Sequence, residues 1–292
     1  MMRWSTFKKM VMLEQTVFGL TWVLAAALLP LADAGTQVHW AEPARWLALV
    51  AAFLSARVAG MAFNRIIDRD IDAANPRTKD RVLPSGEASL LQVKLVAALS
   101  SFGFVGACAS INPILAWASP FLLLLIYVYA YTKRFTSLCH FVMGLISGLG
   151  PVCAWAAMTD SIALAPVLMG LALLCSIAAM DIIYALQDLD YDAAHGLHSI
   201  PVRLGRSRSV YLSRVLHACT VLALMLVGLS LNLHWTYYCG IVGIAGLLVF
   251  HHASLRPSHN TWIYRSFFAV NARVGIAVLF IVVEVLAWGV MS

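Results

Sequence analysis

Charged side chains are scarce in this chain. Asp, Glu, Lys and Arg make up 12% of its 292 residues, whereas hydrophobic residues make up 61%. The length alone would allow two soluble domains, but the apolar runs are too long and too closely spaced for soluble domains. The sequence therefore predicts an all-α, polytopic membrane protein that forms a single domain over residues 1–292.

Several kinds of site are also missing from the sequence. The six cysteines are isolated, and they form neither a CxxC pair nor a metal-binding spacing. The histidines do not cluster along the sequence as metal ligands would, so we expect structural or interfacial roles for them. No soluble domain, low-complexity tract or long linker interrupts the apolar segments. These absences leave the acidic residues as the main candidates for chemistry.

Nine apolar segments are each close to the roughly 20 residues that a helix needs to cross the hydrocarbon core. We therefore predict nine transmembrane helices around a central pocket that opens to the cytoplasm. The segments cover approximately residues 11–31, 45–67, 89–111, 113–132, 138–158, 162–187, 209–231, 235–252 and 267–290.

Basic residues indicate the orientation, because Lys and Arg in short loops are retained on the cytoplasmic side. With the N-terminus inside, 17 of the 20 basic residues fall on that side, and only Arg45, Arg57 and Arg273 do not. We predict a cytoplasmic N-terminus and an external C-terminus in a bacterial inner membrane. The net charge of +6 is dispersed over five cytoplasmic segments, so we expect no nucleic-acid binding.

The first acidic motif follows the second apolar segment. Asn64, Asp68 and Asp72 recur every four residues, which places them on one face of a helix, about 6 Å apart along its axis. Their oxygens suit Mg²⁺, which commonly binds one or two carboxylates together with a substrate phosphate. Asp70 points to another side, and Pro76 ends the helix. The pattern predicts a magnesium site for a polyphosphate.

A second acidic motif follows the sixth apolar segment. Asp181, Tyr184, Asp188 and Asp192 again fall on one helical stripe, whereas Asp190 lies off it. A single motif of this kind is explained equally well by a metal site or by an ordinary acidic helix end in the headgroup region. Two motifs with the same four-residue period, in matching positions at one membrane face, favour a metal and diphosphate site.

Basic side chains near the motifs are suited to bind a pyrophosphate. Tyr129 and Lys133 are one helical turn apart, so a phenol and an ammonium group can approach one ligand. Each of these cations individually also satisfies the ordinary preference for basic cytoplasmic loops. The candidates are Arg77, Lys79, Arg81, Lys133 and Arg134.

Arg57 differs from these cations because it lies about two turns deeper on the helical face of Asn64. A guanidinium at membrane depth is costly, which indicates a specific partner. Arg57 either binds the carboxylate of a substrate or forms an ion pair with a helix residue such as Glu14 or Glu284.

These motifs resemble those of the UbiA superfamily of intramembrane aromatic prenyltransferases over essentially the whole chain. The first motif has the form NxxxDxxxD and the second has the form YxxxDxxxD. In that family the first motif often begins Asn-Asp, whereas here Arg65 takes the second position, which lies off the metal-facing stripe. The tracts at 77–78, 81–86, 133–136 and 196–199 also carry the resemblance.

The resemblance implies a Mg²⁺-dependent prenyl transfer within the lipid bilayer. The donor is a polyprenyl diphosphate whose leaving charge is stabilised by Lys133 together with Arg77, Lys79 or Arg81. The implied metal ligands are Asn64, Asp68, Asp72, Asp188 and Asp192.

The resemblance also implies roles for groups around the reacting carbon atoms. Tyr129 and Tyr184 are expected to stabilise the allylic cation through their π faces. Asp188, Asp192 or the departing diphosphate accepts the ring proton. Asp181 is expected to contact the substrate.

The acceptor implied by the resemblance is an aromatic acid of the 4-hydroxybenzoate type, used in ubiquinone biosynthesis. Its carboxylate is expected to bind Arg57 or Arg134, and we favour Arg134 because a soluble acid reaches it first. The tracts 64–65 and 195–201 also look like those of relatives that prenylate a dihydroxynaphthoate for menaquinone. The tract 68–72 also looks like haem O synthases, which lack the second motif.

An ion or solute transporter is the alternative from a different class, because intramembrane charges can mark an ion path. A transport site is expected near the bilayer midplane, on discontinuous helices. The acidic residues here instead concentrate at one predicted membrane face, which favours the enzyme.

Overall fold

The computed structural model describes residues 2–12, 16–33, 35–255 and 260–291. Over these ranges the regular secondary structure is helical and contains no β-strand. The α-helices are α1 (Trp4–Val11), α2 (Thr16–Leu28), α3 (Pro43–Ile67), α4 (Arg69–Ala74), α5 (Leu90–Ile111), α6 (Pro113–Thr132), α7 (Cys139–Thr159), α8 (Leu164–Ala185), α9 (Leu189–Ala194), α10 (Ile200–Ser230), α11 (Trp235–Ala253) and α12 (Asn260–Met291). Short 3₁₀ turns occupy Leu29–Ala32 and Leu186–Asp188. Glu14, a possible partner of Arg57, and Arg256, one of the basic residues counted on the cytoplasmic side, lie outside the described residues.

The prediction of an all-α, polytopic membrane protein is confirmed. Within the described part of the chain, eight helices are long and apolar enough to cross a membrane. The first of the nine predicted segments, at 11–31, instead contains a shorter apolar stretch, Phe18–Ala32, preceded by residues 13–15, which are not described. This stretch is shorter than the roughly 17 residues that a span requires. The protein is an integral membrane protein.

The chain forms two compact units. The first contains Met1–Val17 and Glu42–Tyr131, and the second contains Phe18–Ala41 and Thr132–Ser292. Each acidic motif belongs to a different unit, so each motif is described with the elements that surround it. The assignment of residues 1–292 to a single domain stays a prediction.

In the first unit, α1 and the packing of α3 against α5 hold the loop that follows the first motif. Met10 and Val11 of α1 are fully buried, and they belong to one apolar cluster with Ala62 of α3 and with Val82 and Ala88 of the loop. Burial of these side chains removes apolar surface from contact with water. The basic loop after the first motif is therefore anchored at two buried points.

In the second unit, α8 packs against α7, α10 and α12. Glycines allow α7 and α8 to approach each other closely, as small residues do in membrane helices. A β-carbon at Gly148 would collide with the backbone oxygen of Gly170, and the reverse holds for Gly170. A β-carbon at Gly144 would meet the backbone oxygen of Leu174. This contact fixes the inner helix that carries the second motif.

Candidate active site

The first motif crosses a break between two helices. The prediction placed Asn64, Asp68 and Asp72 on one continuous helix, but α3 ends at Ile67 and Asp68 has φ −91° and ψ 7° before α4 begins. Two backbone hydrogen bonds preserve the four-residue register across the break, from Asp68 N to Asn64 O at 3.0 Å and from Asp72 N to Asp68 O at 2.7 Å. The helix then ends before Pro76, as predicted, with Asn75 in an extended conformation.

Asp72 is the most buried acid of the first motif, with 3% of its surface exposed. Its Oδ1 accepts a hydrogen bond from Arg81 Nη1 at 2.6 Å, so Arg81, a predicted pyrophosphate-binding residue, is paired with this carboxylate. The hydroxyl of Thr78 donates to the backbone oxygen of Asp72 at 3.1 Å. Among the described residues, Asp72 Oδ2 is buried and has no hydrogen-bond partner. A buried carboxylate oxygen of this kind is suited to a cation.

Asn64 is engaged on both sides of its amide. Its Nδ2 donates to Asp68 Oδ2 at 2.7 Å, and its Oδ1 accepts from Arg65 Nη1 at 3.2 Å. Only 3% of the Arg65 surface is exposed. The sequence placed position 65 off the metal-facing stripe and did not predict the burial of Arg65 or its contact with Asn64. The available signal was weak, because Arg69 of the same tract is also an arginine but is exposed.

The two aspartates that lie off the predicted stripes are solvent-exposed. Asp70 pairs with Arg69 through an Nε–Oδ1 contact of 2.9 Å at the surface. Asp190 is exposed on α9, between the buried Asp188 and Asp192. The helical period therefore separates inward from outward carboxylates in both motifs.

The second motif also contains a change of helical geometry. α8 ends at Ala185, the chain tightens into the 3₁₀ turn over Leu186–Asp188, and α9 follows. Asp188 is 6% exposed and Asp192 is 1% exposed. After α9, Gly196 adopts φ +66°, a left-handed conformation that glycine accommodates without strain. Leu197 N then donates to Asp192 O at 2.9 Å, which closes the turn beneath the motif.

Lys133 lies directly beside the second motif. Its Nζ is 2.7 Å from Asp192 Oδ2, and Lys133 is about one-third exposed. The sequence placed Lys133 on the helix of Tyr129, but α6 ends at Thr132 and Lys133 is the first residue after it. Its backbone oxygen accepts from His198 N at 2.7 Å, so two loops separated by more than 60 residues in sequence are joined at this point.

A buried histidine joins α7 to α8 and to the start of α10, next to these two loops. His140 Nε2 accepts from Ile200 N at 3.3 Å, so its proton is on Nδ1, which donates to Asp181 Oδ2 at 2.7 Å. His140 is 2% exposed, and it is one of the histidines for which the sequence predicted a structural or interfacial role. Asp181, predicted to contact substrate, is one-quarter exposed and has one oxygen held by this bond.

The remaining predicted residues differ in exposure. Tyr184 packs against Phe267 with ring centroids 4.7 Å apart. In the first unit, Arg57 of α3 and Tyr129 of α6 are both half-buried and interact electrostatically. The cations exposed at the surface are Arg77, Lys79 and Arg134.

The residues present fit a hard divalent cation. Among the described residues, no group of three or more histidine, cysteine or carboxylate side chains is arranged to hold a metal ion. Mg²⁺ usually keeps several waters and takes only one or two carboxylates plus phosphate oxygens, so it needs no complete protein cage. The buried Asp72 Oδ2 is an oxygen of the required type.

Comparison with known proteins gives consistent results. The profile of the UbiA prenyltransferase family matches residues 15–273. A 4-hydroxybenzoate octaprenyltransferase from Serratia proteamaculans is 32% identical over 235 residues, which cover 80% of this chain and 79% of that protein. A protein of the same name from Cupriavidus metallidurans is 29% identical over 234 residues, with coverages of 77% and 79%.

Solved structures support the fold. A UbiA homolog from Aeropyrum pernix K1 superposes with a TM-score of 0.80 at 28% identity, covering 93% of this chain and 98% of that one. A UbiA homolog from Archaeoglobus fulgidus, bound to GPP and Mg²⁺, superposes with a TM-score of 0.68 at 17% identity, with coverages of 96% and 100%. The family profile, the relatives and the two motifs agree, and the chain belongs to the UbiA prenyltransferase family.

Proposed function

We propose that this enzyme transfers a polyprenyl group from polyprenyl diphosphate to the ring of an aromatic acid of the 4-hydroxybenzoate type, in ubiquinone biosynthesis, with Mg²⁺ as cofactor. The names of the relatives support the acceptor class. The GPP and Mg²⁺ bound to the structural neighbour support the donor class and the metal. The alternative acceptor is a dihydroxynaphthoate in menaquinone synthesis.

One observation carries the proposal: the last aspartate of each motif is buried beside a cation from a loop. Asp72 is paired with Arg81 at 2.6 Å, and Asp192 with Lys133 at 2.7 Å. In each unit, a buried carboxylate next to a cation supplies the two kinds of group that a metal ion and a diphosphate require: carboxylate oxygens bind the metal, and cations bind phosphate oxygens.

The proposed ligands of Mg²⁺ are carboxylate and amide oxygens from both motifs. When bound, the metal supplies positive charge that stabilises the diphosphate as it leaves. Asn64, whose oxygen accepts from Arg65, also orients Asp68. The proposed set is Asn64, Asp68, Asp72, Asp188 and Asp192.

The protein side chains then act on the substrates as follows. Arg77 and Lys79 bind phosphate oxygens, and Lys133 stabilises the negative charge that develops when the bond between the prenyl carbon and oxygen breaks. Tyr129 and Tyr184 present their π faces to the allylic cation.

The ring of the acceptor next forms the new carbon–carbon bond, ortho to its hydroxyl group. The ring proton then passes to a carboxylate oxygen of Asp188 or Asp192, or to the departing diphosphate, which restores aromaticity. The products are the prenylated acid and diphosphate. Asp181 contacts the acceptor with the oxygen that His140 does not hold.

The acceptor carboxylate must lie away from the diphosphate, because two anions at one metal site repel each other. Arg134 and Arg57 are the two candidates. Arg134 is exposed and accessible to a soluble acid, whereas Arg57 is a half-buried guanidinium beside Tyr129.

The test is a prenyl-transfer assay with the purified, detergent-solubilised enzyme. It is offered 4-hydroxybenzoate and a dihydroxynaphthoate in parallel, each with Mg²⁺ and with EDTA. We expect Mg²⁺-dependent prenylation of 4-hydroxybenzoate. Prenylation of the naphthoate alone would show that the acceptor is the dihydroxynaphthoate. Absence of prenyl transfer together with ion movement in liposomes would favour the transporter alternative.

We further propose a bacterial inner-membrane location with a cytoplasmic N-terminus.

A further inference from the structure

The first motif contains a buried cation that the prenyl-transfer scheme above does not use. Arg65 is 3% exposed and its Nη1 donates to Asn64 Oδ1. A buried guanidinium without compensating charge is strongly unfavourable, so the surroundings of Arg65 must supply negative charge. Asp68 and Asp72 interact electrostatically with it.

The charges around Arg65 do not balance. Arg57 and Arg81 also interact electrostatically with the Arg65 guanidinium, so among the described residues this group consists of three arginines and two aspartates. This group carries one excess positive charge before any metal ion binds. A motif that only chelated cations would instead carry an excess of negative charge. The local balance favours an anion even in the absence of a divalent ion.

We propose that Arg65 is a fixed positive charge of the first motif that gives it affinity for the diphosphate group without a metal ion. Arg65 acts through space and through Asn64, which it holds against Asp68, so it is a positioning and charge-compensating residue. This inference rests on the proposed function, in which the diphosphate belongs to the donor substrate. It also predicts that the same charge opposes the binding of free Mg²⁺.

The two effects have opposite signs, which separates this role from a purely structural one. Removal of the Arg65 charge weakens the binding of an anion and strengthens the binding of a cation. Partial unfolding or loosening of the motif would weaken both. Arg69 provides a matched control, because it is also an arginine of this motif but is half-exposed and paired with the outward-facing Asp70.

The experiment measures binding of inorganic pyrophosphate and, separately, of Mg²⁺ to the full-length protein in detergent by titration calorimetry. The variants are Arg65→Met, Arg65→Lys and Arg69→Met, and pyrophosphate binding is measured in EDTA. We expect the unmodified protein to bind pyrophosphate in EDTA. We expect Arg65→Met to weaken that binding by about tenfold and to tighten Mg²⁺ binding, since about 1.4 kcal/mol corresponds to a factor of ten.

Arg65→Lys is expected to retain most of the pyrophosphate affinity, and Arg69→Met to change either affinity by less than about twofold, because exposed charges are screened. The inference is overturned if the unmodified protein binds no pyrophosphate in EDTA, a result that needs no variant. It is also overturned if Arg65→Met matches Arg69→Met, or if both affinities of a folded Arg65→Met protein fall together.

The outcome remains distinguishable from a failure of the proposed function. Prenylation of an aromatic acid with unchanged pyrophosphate binding in Arg65→Met would overturn only the role of Arg65. Arg65-dependent pyrophosphate binding without prenylation of either aromatic acid would overturn only the acceptor assignment.

Discussion

His140 and Asp181 form a hydrogen bond of 2.7 Å between Nδ1 and Oδ2, and the other ring nitrogen of His140 accepts the backbone N–H of Ile200. One buried side chain therefore joins α7, α8 and the start of α10. The bond from Ile200 also holds the neighbouring His198 in place. The backbone N–H of His198 donates to the backbone oxygen of Lys133, and the side chain of Lys133 pairs with Asp192.

Replacement of His140 tests this relationship. His140→Ala leaves the Ile200 N–H and one Asp181 oxygen without their partner, and such losses cost about 1–3 kcal/mol each. We expect a lower unfolding temperature, monitored by tryptophan fluorescence in detergent. His140→Gln offers both an acceptor and a donor and should recover much of the loss, whereas the control His198→Ala removes an exposed ring and should have little effect. Equal unfolding temperatures for His140→Ala and His198→Ala would contradict the assignment.

The helical stripes predict a contrast between neighbouring aspartates. Asp68→Ala and Asp188→Ala should remove nearly all prenyl transfer at saturating Mg²⁺, because each deletes an inward carboxylate. Asp70→Ala and Asp190→Ala should retain most activity, since both side chains are exposed. Similar losses in all four variants would show that the motifs act only as diffuse negative charge.

The ion pair of Lys133 with Asp192 predicts a large kinetic effect. Lys133→Met should lower kcat by about 100-fold, the usual scale for removing one group that stabilises developing negative charge. If Lys133 acts mainly on the leaving group, the substitution should change kcat more than it changes the donor KM. A variant that changes donor KM alone would assign Lys133 to ground-state binding instead.

Acceptor recognition predicts a separate kinetic pattern. Arg134→Met, or Arg57→Met if that arginine binds the carboxylate, should raise acceptor KM strongly and leave donor KM nearly unchanged. Steady-state kinetics with each substrate varied in turn measure both constants. If neither substitution alters acceptor KM, the carboxylate binds elsewhere, with Arg77 and Arg81 as the next candidates.

The close approach of α7 and α8 predicts a stability effect remote from the chemistry. Gly148→Leu or Gly170→Leu forces side-chain atoms into the opposing backbone, and overpacking of this kind typically costs about 1–3 kcal/mol. The unfolding temperature should fall. Gly246→Ala on α11 is the control, because a β-carbon there meets no atom within 4 Å and alanine favours a helix.

The sequence by itself determined the membrane class, eight of the nine predicted spanning segments, and which aspartates at the ends of the motifs are buried and which neighbours are exposed. Apolar length and the helical period are local properties, so they can be read directly along the chain. The exposure of Asp70 and Asp190 and the burial of Asp72 and Asp192 follow the predicted stripes. The local breaks at Asp68 and at 186–188 were not predicted, because an i, i+4 pattern is compatible with both a continuous and an interrupted helix.

Only the tertiary structure decided which groups meet. His140 and Asp181 are 41 residues apart, and His140 and Ile200 are 60 apart, so nothing in the local pattern pairs them. The burial of Arg65 was not predicted, because helical spacing gives a direction but not the neighbours that bury a side chain. Partners distant in sequence are selected by the packing of whole helices, such as the glycine contact between α7 and α8, and that packing depends on all of their side chains at once.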